Sequence, residues 1–403
     1  MSLKGIRVID LTRIISGPFC TQLLADFGAD VIKIETPSGD PLRRQGKGRN
    51  GLSWYFASYN RNKRSVALDL RSPEGLEVLS DLVRDADVLV ENFRAGVLAD
   101  MGFSDQALEA LNPRLVVCHI SGFGADGPYA QRPSFDFIAQ AMSGFMSVNG
   151  NRDDEPLRSG LPISDLVAGL YAALGVAATL AGPRENRRFQ SVDVGLTDSL
   201  ISLLSYMASD TLASGQPPER SGNDHPLVAP YGLFQTADTP IAIAPSNDMI
   251  YARLLKVLGR EDLLTDPRFD TNEKRMADRR AIRAEIEPIL LTEGSATWIE
   301  RLNKGGVPTG PVMTVPEVLE DPQVRHRDMV LEVPHGAHGP VQMLGFPVKV
   351  APDGCDIRHP APELGEHGDA ILSALGYSAA RIADLRARGV LAAGSGEEAV
   401  RRG

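Results

Sequence analysis

Short apolar segments alternate with longer segments of helical periodicity through the first part of the chain. This alternation predicts strands at residues 6–11, 30–35, 65–70, 87–90 and 115–120. Helices are predicted between them, where Gly17-Pro18, Ser72-Pro73-Glu74 and Ser104 supply typical capping or first-turn residues. Strands that alternate with helices favour an α/β fold with a mostly parallel, doubly wound sheet.

The longest apolar segment, residues 166–181, follows Gly160 and Pro162, which end any preceding element. Its residues are apolar on nearly every face, which predicts a buried helix. Asp165 stands directly before this segment, at the position of an N-cap residue. Two interpretations stay open. One is a capped core helix; the other is an ionised carboxylate that the helix end stabilises and directs at a ligand as a nucleophile or base.

The composition changes near Ser214-Gly215-Gln216-Pro217-Pro218, which is typical of a linker. Beyond it, two short strands at residues 231–234 and 241–244 predict a hairpin, and several helical segments follow. These elements favour a second, smaller α+β domain.

Polar and basic residues follow several predicted strands, where the ligands of open α/β sheets gather. Asn92-Phe93-Arg94 follows one strand, and Pro245-Ser246-Asn247-Asp248 joins another to a helix. The second segment is either a plain helix cap or a carboxylate site. Seven basic residues lie between residues 43 and 64: Arg43, Arg44, Lys47, Arg49, Arg61, Lys63 and Arg64. This basic stretch is either solvated surface or a set of phosphate contacts. The first predicted turn has only Gly17 in place of the Gly-x-Gly-x-x-Gly signature, which argues against NAD binding.

The 403 residues are 43% hydrophobic and 23% charged, as in soluble globular proteins, and the net charge of −10 argues against a general nucleic-acid binder. Cys20, Cys118 and Cys355 are isolated, which indicates a reducing compartment. No signal peptide is recognised, and the apolar run of about 16 residues is short of the roughly 20 that cross a bilayer. We expect a cytoplasmic protein that binds neither nucleic acid nor membranes.

The seven histidines show no metal-binding spacing. His335 and His338 flank a Gly-Ala turn, so we expect both to be exposed to solvent, and we predict no metal site. Residues 392–403 are small and polar, which predicts a disordered tail.

Several segments together resemble the class III CoA-transferases, the CaiB/BaiF family, over nearly the whole chain to about Leu391. The matching segments are DLTR at residues 10–13, SGP at 16–18, GADVIKIE at 28–35, NRNKRS at 60–65, ENFRAG at 91–96, GPY at 127–129, FDFIAQAMSG at 135–144, VDV at 192–194 and LGEH at 364–367. The number of matches, in order, makes the resemblance specific.

The resemblance implies that Asp165 is the catalytic residue. It implies acyl-CoA contacts at Arg13, Ser16, Leu68, Arg71, Asn92, Phe93, Arg94 and Phe135. It further implies a substrate loop at Pro245, Ser246 and Asn247. Coenzyme A or an acyl-CoA is then a substrate, and no tightly bound cofactor is expected.

The implied architecture is a large Rossmann-like domain built from both chain ends, with the small domain inserted, in an interlocked homodimer. The expected boundaries are a large domain at residues 1–213 and 341–391, linkers at 214–225 and 321–340, a small domain at 226–320 and the tail at 392–403.

Departures from the formyl-CoA branch of the family occur at Arg13, Ile15, Thr36, Phe135 and the loop at residues 245–248. They favour the members that move CoA from succinyl-CoA to dicarboxylic acids. In the implied mechanism Asp165 forms first an anhydride with the donor acyl group and then a thioester with CoA. Two alternatives are an α-methylacyl-CoA racemase-like epimerase, in which a histidine would stand at Phe135, and a non-catalytic CoA-binding protein.

Overall fold

The computed structural model describes residues 2–46, 48–49, 51–352 and 354–392. Its strands are β1 (Arg7–Asp10), β2 (Asp30–Glu35), β3 (Gly48–Arg49), β4 (Leu52–Ser53), β5 (Lys63–Ala67), β6 (Val88–Glu91), β7 (Val116–Ser121), β8 (Gln190–Gly195), β9 (Gly232–Phe234), β10 (Ile241–Ile243), β11 (Thr309–Pro311), β12 (Val330–His335) and β13 (Gly339–Leu344).

Its α-helices are α1 (Ser16–Asp26), α2 (Trp54–Ala57), α3 (Pro73–Arg84), α4 (Val97–Asp100), α5 (Asp105–Leu111), α6 (Asp136–Met142), α7 (Phe145–Val148), α8 (Ile163–Leu180), α9 (Leu196–Leu203), α10 (Ser205–Ser214), α11 (Asp248–Leu258), α12 (Asn272–Ala277), α13 (Arg279–Leu290), α14 (Ser295–Lys304), α15 (Val315–Glu320), α16 (Pro322–His326), α17 (Gly368–Ala374) and α18 (Ala379–Ala387). Short 3-10 helices lie at Pro41–Arg44, Arg184–Asn186, Glu261–Leu264 and Gly336–His338.

The main sheet has the strand order β5-β2-β1-β6-β7-β8, and each neighbouring pair is parallel. Numbered along the chain within this sheet, the order is 3-2-1-4-5-6, the doubly wound arrangement. The expected α/β fold with a parallel sheet is confirmed. Because the winding direction reverses between β1 and β6, the loops that follow these two strands diverge, and a crevice forms at their carboxyl ends.

Apolar side chains cover both faces of the sheet because successive strand residues point to opposite faces. Val8 lies in a cluster with Leu24 of α1 and Val176 of α8. Its neighbour Ile9 lies in the cluster on the other face, together with Leu79 of α3 and Leu385 of α18. The helices near the end of the chain therefore complete a core that its first strand begins.

Helix α8 is buried on one face only. Ala168, Ala172 and Val176 are buried, whereas Leu170 and Leu174 are 50% and 63% exposed. The expectation of burial on every face is wrong for the single chain, because α1, α9 and the sheet cover one side of the helix. Length and composition alone would allow α8 to cross a membrane. Its small-residue face, however, packs against α1.

The chain divides into two compact units. The larger unit contains the described residues up to 145, residues 158–213, and those from 322 onward. The smaller contains residues 146–157 and 214–321. Within the smaller unit, β11, β10 and β9 form an antiparallel sheet, and helices cover a separate apolar core that includes Phe234, Leu254 and Ile286. The predicted hairpin is present here as β9 and β10.

Two predicted boundaries in the first half of the chain differ from the structure. Residues 146–157, predicted within the large domain at 1–213, belong to the smaller unit. The reason is a set of backbone contacts: the Gly222 N–H donates to the Gly150 carbonyl, and Arg220 donates to carbonyl groups of the same segment. These contacts also place the predicted linker at 214–225 in the smaller unit.

The predicted linker at residues 321–340 is also wrong from residue 322 onward. That segment belongs to the larger unit, and β12 pairs with β13 along six residues of an antiparallel hairpin. Of the predicted tail, Ala392 donates a hydrogen bond to the Ala67 carbonyl, and residues 393–403 lie outside the described residues.

The same hairpin buries His335, which was expected to be exposed. His335 stands opposite Gly339 at the end of the ladder and is only 6% exposed. Val333 lies two residues earlier, on the same face of β12, and packs with Val341 and Ala361 in an apolar cluster. Residues two positions apart share a face of a strand, so the burial of Val333 carries His335 inward.

Candidate active site

A cleft of about 160 Å³ lies in the larger unit at the carboxyl ends of the parallel strands. Its walls come from the segments that follow β1, β6, β7 and β8, together with the segments at the starts of α6 and α8. The lining residues are Arg13, Ile14, Ser16, Asn92, Phe93, Arg94, Ile120, Ser121, Gly122, Ala130, Arg132, Pro133, Ser134, Phe135, Asp165 and Leu196. This is the edge of a doubly wound sheet at which ligands bind.

Buried charges fix the segment that follows β1. The Asp10 carboxylate accepts hydrogen bonds from the Thr12 N–H at 2.9 Å and from the Thr12 hydroxyl, and Lys63 Nζ lies 3.0 Å from it. Lys33 Nζ donates to the Thr12 carbonyl at 2.8 Å. Burial alone would raise the pKa of Asp10, but Lys63 and Lys33 hold that pKa below its ordinary value. The Thr12 N–H and the Thr12 carbonyl are therefore both fixed by buried charges, and this fixes the backbone that leads into Arg13.

The turn between β1 and α1 is tight. Ile14 has a φ of 70°, in the left-handed region that a β-branched residue rarely adopts. At Gly17, a Cβ would lie 2.3 Å from the Thr12 Cβ, so this position requires glycine. The turn brings Arg13 and Ser16 to the cleft, and backbone strain of this kind is often found at ligand sites.

Asn92 joins the segment after β6 to the segment after β1. Its side chain accepts a hydrogen bond from the Arg13 N–H at 2.9 Å and donates one to the Arg13 carbonyl at 2.8 Å. A longer contact of 3.4 Å joins Asn92 Nδ2 to Ser16 Oγ. Asn92 thus positions the backbone that carries Arg13 and Ser16.

Behind Asn92, the Glu91 carboxylate accepts a hydrogen bond from the Phe93 N–H at 2.6 Å. His119 lies between Glu91 and Asp105, with ring nitrogens 2.6 Å and 3.1 Å from their carboxylates. Burial alone would lower the pKa of His119, but Glu91 and Asp105 raise it to about 9. A charged imidazolium therefore supports the turn at Phe93. Sequence patterns gave no signal for this contact, because β6 and β7 become neighbours only in the folded sheet.

Asp165 is the third residue of α8 and is not its N-cap. The first-turn N–H group of Ser164 instead donates to Asp136 of α6 at 2.9 Å, and the Ser164 hydroxyl donates to the same oxygen at 2.8 Å. The capping position predicted for Asp165 is therefore wrong. A neighbouring helix supplies the carboxylate for the helix end, and Asp165 lines the cleft.

Burial raises the pKa of Asp165 to about 7, with a further contribution from Asp136 and an opposing hydrogen bond from Ser16. Position near the helix end was expected to keep this carboxylate ionised, but burial outweighs that effect. Near neutral pH the group is divided between its acid and carboxylate forms. Any positive charge that moves closer would favour the carboxylate.

A close helix contact keeps Ser16 beside Asp165. At Gly169, one turn after Asp165, a Cβ would lie 2.6 Å from the Ser16 carbonyl oxygen. Any larger residue at position 169 would push α8 away from the start of α1. The glycine therefore sets the distance between the Ser16 hydroxyl and the Asp165 carboxylate.

The side chains of Arg13, Arg94 and Arg132 also line the cleft. None of the three forms an ion pair with a carboxylate of the described residues. The Arg132 guanidinium lies 3.7 Å from the ring centroid of Tyr129. Arginines without an internal partner can receive phosphate or carboxylate groups of a ligand. Arg132 was not among the residues singled out from the sequence; the nearest matching segment was GPY at residues 127–129.

The basic stretch between residues 43 and 64 is different, because most of its described charges pair inside the protein. The pairs are Arg43 with Glu35 at 2.7 Å, Arg61 with Asp26 at 2.6 Å, Lys63 with Asp10 at 3.0 Å and Arg64 with Asp30 at 2.6 Å. These four residues are neither purely solvated nor available as phosphate contacts. Lys47 lies outside the described residues.

The cleft brings Asp165 together with most of the predicted CoA contacts: Arg13, Ser16, Asn92, Phe93, Arg94 and Phe135. Phe135 is 73% exposed at its edge. Leu68 and Arg71 do not line this cleft. Leu68 is fully buried and bridges to Leu391, whereas Arg71 is exposed before α3.

The predicted substrate loop belongs to the smaller unit. Pro245 is buried, and Ser246 is exposed. The Asn247 side chain accepts a hydrogen bond from the Ile250 N–H at 3.0 Å and so caps α11. For Asn247 the capping interpretation is confirmed, and its side-chain oxygen is used within the helix.

Doubly wound topology, a carboxylate in the cleft and unpaired arginines around it are features of an enzyme that acts on anionic substrates. The model of CoA-transferase family III matches residues 3–368. The chain therefore belongs to this family, and it is a CoA-transferase.

Named relatives agree with this assignment. The chain is 40% identical over 372 residues to the acetyl-CoA:oxalate CoA-transferase of Acetobacter aceti, covering 91% of this chain and 94% of the relative. It is 36% identical over 381 residues to the succinate–glutarate CoA-transferase of Agrobacterium fabrum, covering 93% and 95%. The crystal structure of a CaiB/BaiF family protein from Brucella suis has a TM-score of 0.83 and 38% identity, and the match covers 93% of this chain and 99% of that one.

Proposed function

We propose that this enzyme moves CoA from an acyl-CoA donor, succinyl-CoA, to a dicarboxylic acid through covalent intermediates on Asp165. The observation that carries the proposal is the position of Asp165. Among the described residues that line the cleft it alone bears a carboxylate, and Ser16 and three arginines surround it. Relatives named for glutarate and for oxalate both act on dicarboxylic acids by name. The departures from the formyl-CoA branch favour a dicarboxylic acceptor longer than oxalate, and the relative named for oxalate makes oxalate the acceptor to test beside it.

In the first half-reaction, a carboxylate oxygen of Asp165 attacks the thioester carbonyl of the donor. The carbon–sulfur bond breaks, CoA leaves as its thiolate, and a mixed anhydride joins Asp165 to the donor acyl group. The thiolate then attacks the aspartyl carbonyl of the anhydride. This step releases the donor as its carboxylate and leaves CoA bound to Asp165 as a thioester.

In the second half-reaction, a carboxylate oxygen of the acceptor acid attacks the aspartyl thioester and releases the CoA thiolate. The thiolate attacks the acceptor carbonyl of the new anhydride, which yields the product acyl-CoA and restores the Asp165 carboxylate. Each negative charge that forms lies near Arg13, Arg94 or Arg132, which stabilise it in a partly buried site. Redox chemistry does not enter these steps.

Binding residues follow from the same arrangement. Arg13, Ser16, Asn92, Phe93, Arg94 and Phe135 line the cleft and bind the acyl-CoA. Arg71 belongs to the outer part of the CoA site, where its exposed guanidinium suits a phosphate. Leu68, whose side chain is fully buried, lies in the segment between β5 and Arg71 and supports that segment from beneath. The loop at Pro245, Ser246 and Asn247 in the smaller unit is the proposed contact for the acceptor acid, with the exposed Ser246 hydroxyl as its donor.

We propose an interlocked homodimer as the active form. The support is apolar surface on consecutive helices of the larger unit. Leu170 and Leu174 of α8, Ile201 of α9 and Leu212 of α10 are 50%, 63%, 46% and 88% exposed in the single chain. Exposed apolar surface of this extent typically marks a protein interface. Light scattering should give a dimer across a wide dilution range, and a folded, freely dissociating monomer would contradict interlocking. A cytoplasmic location is proposed with it, because Cys20 and Cys118 are buried free thiols.

A racemase would need a base on each side of the α-carbon. Phe135 cannot accept a proton, and His119 lines a neighbouring cavity with Asp105, not the cleft that contains Asp165. No deuterium should therefore enter the α-carbon of a 2-methylacyl-CoA in heavy water. Rapid exchange without an acceptor acid would overturn the transferase proposal.

The direct test is mass spectrometry of the protein after incubation with succinyl-CoA and no acceptor. A CoA adduct should appear on the peptide that contains Asp165, and addition of a dicarboxylic acid should remove it. Asp165→Asn should form no adduct while keeping its fold. An adduct on another residue, or transfer without any adduct in the wild-type enzyme, would contradict the covalent route.

A further inference from the structure

Two histidines and a glutamate meet at the end of the β12–β13 hairpin in the larger unit. His335 ends β12, and His338 lies three residues later in the tight turn that leads to β13. Glu363 reaches them from a distant segment of the chain. One possible ligand atom from each residue lies within 4.8 Å of the other two. The expectation that the histidines form no metal-ligating cluster is therefore wrong in geometry, because the hairpin and a remote segment place these residues together.

The His335 ring is held as a metal ligand would be. The residue is 6% exposed, and one ring nitrogen hydrogen-bonds to the backbone at Ala361. The other nitrogen, Nε2, has no hydrogen-bond partner among the described residues. An imidazole held at one nitrogen by the backbone, with the other nitrogen left open, is the usual arrangement of a metal-bound histidine. A buried ring nitrogen without a partner otherwise costs free energy.

The His338 ring completes the arrangement. Its centroid lies 4.5 Å from that of His335, with the planes at 72°. Nε2 lies 2.6 Å from the Glu363 Oε1, and Nδ1 is buried without a hydrogen-bond partner in the described part of the chain. Two imidazoles and one carboxylate form the ligand set that zinc accepts, with a fourth position for water.

We propose that His335, His338 and Glu363 bind one divalent transition-metal ion, zinc in the first instance. The three ligand atoms lie within 4.8 Å of one another. Binding replaces the 2.6 Å hydrogen bond between His338 Nε2 and Glu363 Oε1 and brings the three side chains around an ion with bonds of about 2.0–2.2 Å. Nitrogen ligands favour zinc over magnesium or calcium, which prefer oxygen.

The site joins parts of the chain that are remote in sequence. Arg43, whose side chain binds Glu35 of β2, also donates to the carbonyl of Pro362, the neighbour of Glu363. On the other side, the hairpin packs through Val333 and Val341 in the cluster that contains Ile15. An ion bound here would stabilise the packing of the hairpin against the segment that contains Pro362 and Glu363. It would not take part in the transfer reaction, because none of its ligands lines the cleft that contains Asp165.

The test uses the full-length protein, freed of metal with a chelator and titrated with zinc against a chromophoric competitor. We expect one tight equivalent per chain and a melting temperature that rises with free zinc. The double variant His335→Gln/His338→Gln should lose at least about 100-fold in zinc affinity. Glu363→Gln, of nearly the same shape, should weaken binding by less. The exposed His326 supplies a matched control: His326→Gln should bind zinc as the wild type does.

Equal tight binding by the double variant, or no tight equivalent in the wild type, would overturn the proposal. Because these substitutions also alter packing at the hairpin, a measurement on the wild type is needed as well. Crystals grown with one equivalent of zinc should give an anomalous peak between His335, His338 and Glu363 at the zinc edge. A peak only at other positions would show adventitious binding and would overturn the assignment.

Discussion

Two charged regions of the larger unit use the same residue types in opposite ways. Beneath the cleft, Asp10, Lys33 and Lys63 are buried and bind one another or nearby backbone. Inside the cleft, Arg13 and Arg132 have no carboxylate partner among the described residues, and the pKa of Asp165 is raised by burial. The fold pairs the buried charges beneath the cleft, whereas the exposed arginines of the cleft are left without a carboxylate partner in the described part of the chain and are open to a ligand. The buried group of Asp10, Lys33 and Lys63, here called the supporting charges, therefore differs from the cleft in how its charged residues are paired more than in how many it has.

The strongest test of the cleft removes its nucleophile. Asp165→Asn should lower the rate of CoA transfer by at least about 1,000-fold, because an amide cannot form the anhydride. The measurement is a steady-state assay with succinyl-CoA and a panel of dicarboxylic acids. Asp198→Asn is a matched control, since Asp198 is an exposed carboxylate in the first turn of α9 outside the cleft. Substantial activity in Asp165→Asn would contradict the covalent mechanism.

A comparison of the wild type with Asp165→Asn at different pH values tests the protonation of Asp165. With a pKa of about 7 in the folded state against 3.8 in the unfolded state, Asp165 retains its proton longer when folded. The wild type should therefore lose stability relative to Asp165→Asn as pH rises from about 4 to about 7, with no further change above. In the same range kcat/KM should rise with pH, because the carboxylate is the reactive form. Denaturant titrations of both proteins at pH 5 and pH 8 measure the difference in unfolding free energy.

Substitutions among the supporting charges should change the free energy of unfolding. Lys63→Met leaves the Asp10 carboxylate buried without its closest cation, and we expect a loss of about 3–5 kcal/mol in the free energy of unfolding. Adding Asp10→Asn should recover part of that loss, since the uncompensated charge is gone. Guanidinium denaturation of the two variants measures both effects. A loss below about 1 kcal/mol in Lys63→Met would show that the region does not depend on this pair.

A smaller effect is expected at Arg132. Arg132→Gln should raise KM for the acyl-CoA or the acid about tenfold, which corresponds to about 1.4 kcal/mol, and leave unfolding unchanged. Arg301 stacks on Trp298 in the smaller unit, so Arg301→Gln controls for the loss of a stacked arginine. If Arg132→Gln lowered stability and left KM unchanged, Arg132 would belong with the supporting charges.

The smallest expected effect is at His119, which supports the turn at Phe93 through Glu91. His119→Gln should change KM for acyl-CoA by less than about tenfold. The pKa of about 9 exceeds the ordinary 6.5, so stabilisation by the charged ring is complete below pH 6.5 and is lost as pH rises through 9. The wild type should show this loss and the variant should not. Equal pH dependence of unfolding in both proteins would contradict a charged His119.

Much of the sheet was predictable from the sequence. Strands β1, β2, β5, β6 and β7 overlap the five segments predicted at residues 6–11, 30–35, 65–70, 87–90 and 115–120. Their alternation with helices indicates the parallel arrangement, and the segments after β1 and β6 contain several residues of the cleft. Local pattern is enough for these features because each element forms from consecutive residues.

What depended on distant contacts could not be read from local pattern. Asp136, not Asp165, meets the first turn of α8, and this follows only from the packing of α6 beside it. Residues 146–157 look like a continuation of the large domain until Arg220 reaches them. From the sequence His335 resembles an exposed turn residue. It is buried only because β12 and β13 pair, and neither segment alone indicates that pairing.

The larger unit draws on both ends of the chain, and this has a consequence for how the protein is made. Arg43 bonds to Pro362, 319 positions later, and strand residue Ala67 receives a hydrogen bond from Ala392. During synthesis these partners are absent until almost the whole polypeptide has left the ribosome. Contacts between residues so far apart in sequence make folding slow, and the edges of strands synthesised early stay exposed until their partners are present. We expect the larger unit to reach its native fold only after the segments that contain Pro362 and Ala392 have been synthesised.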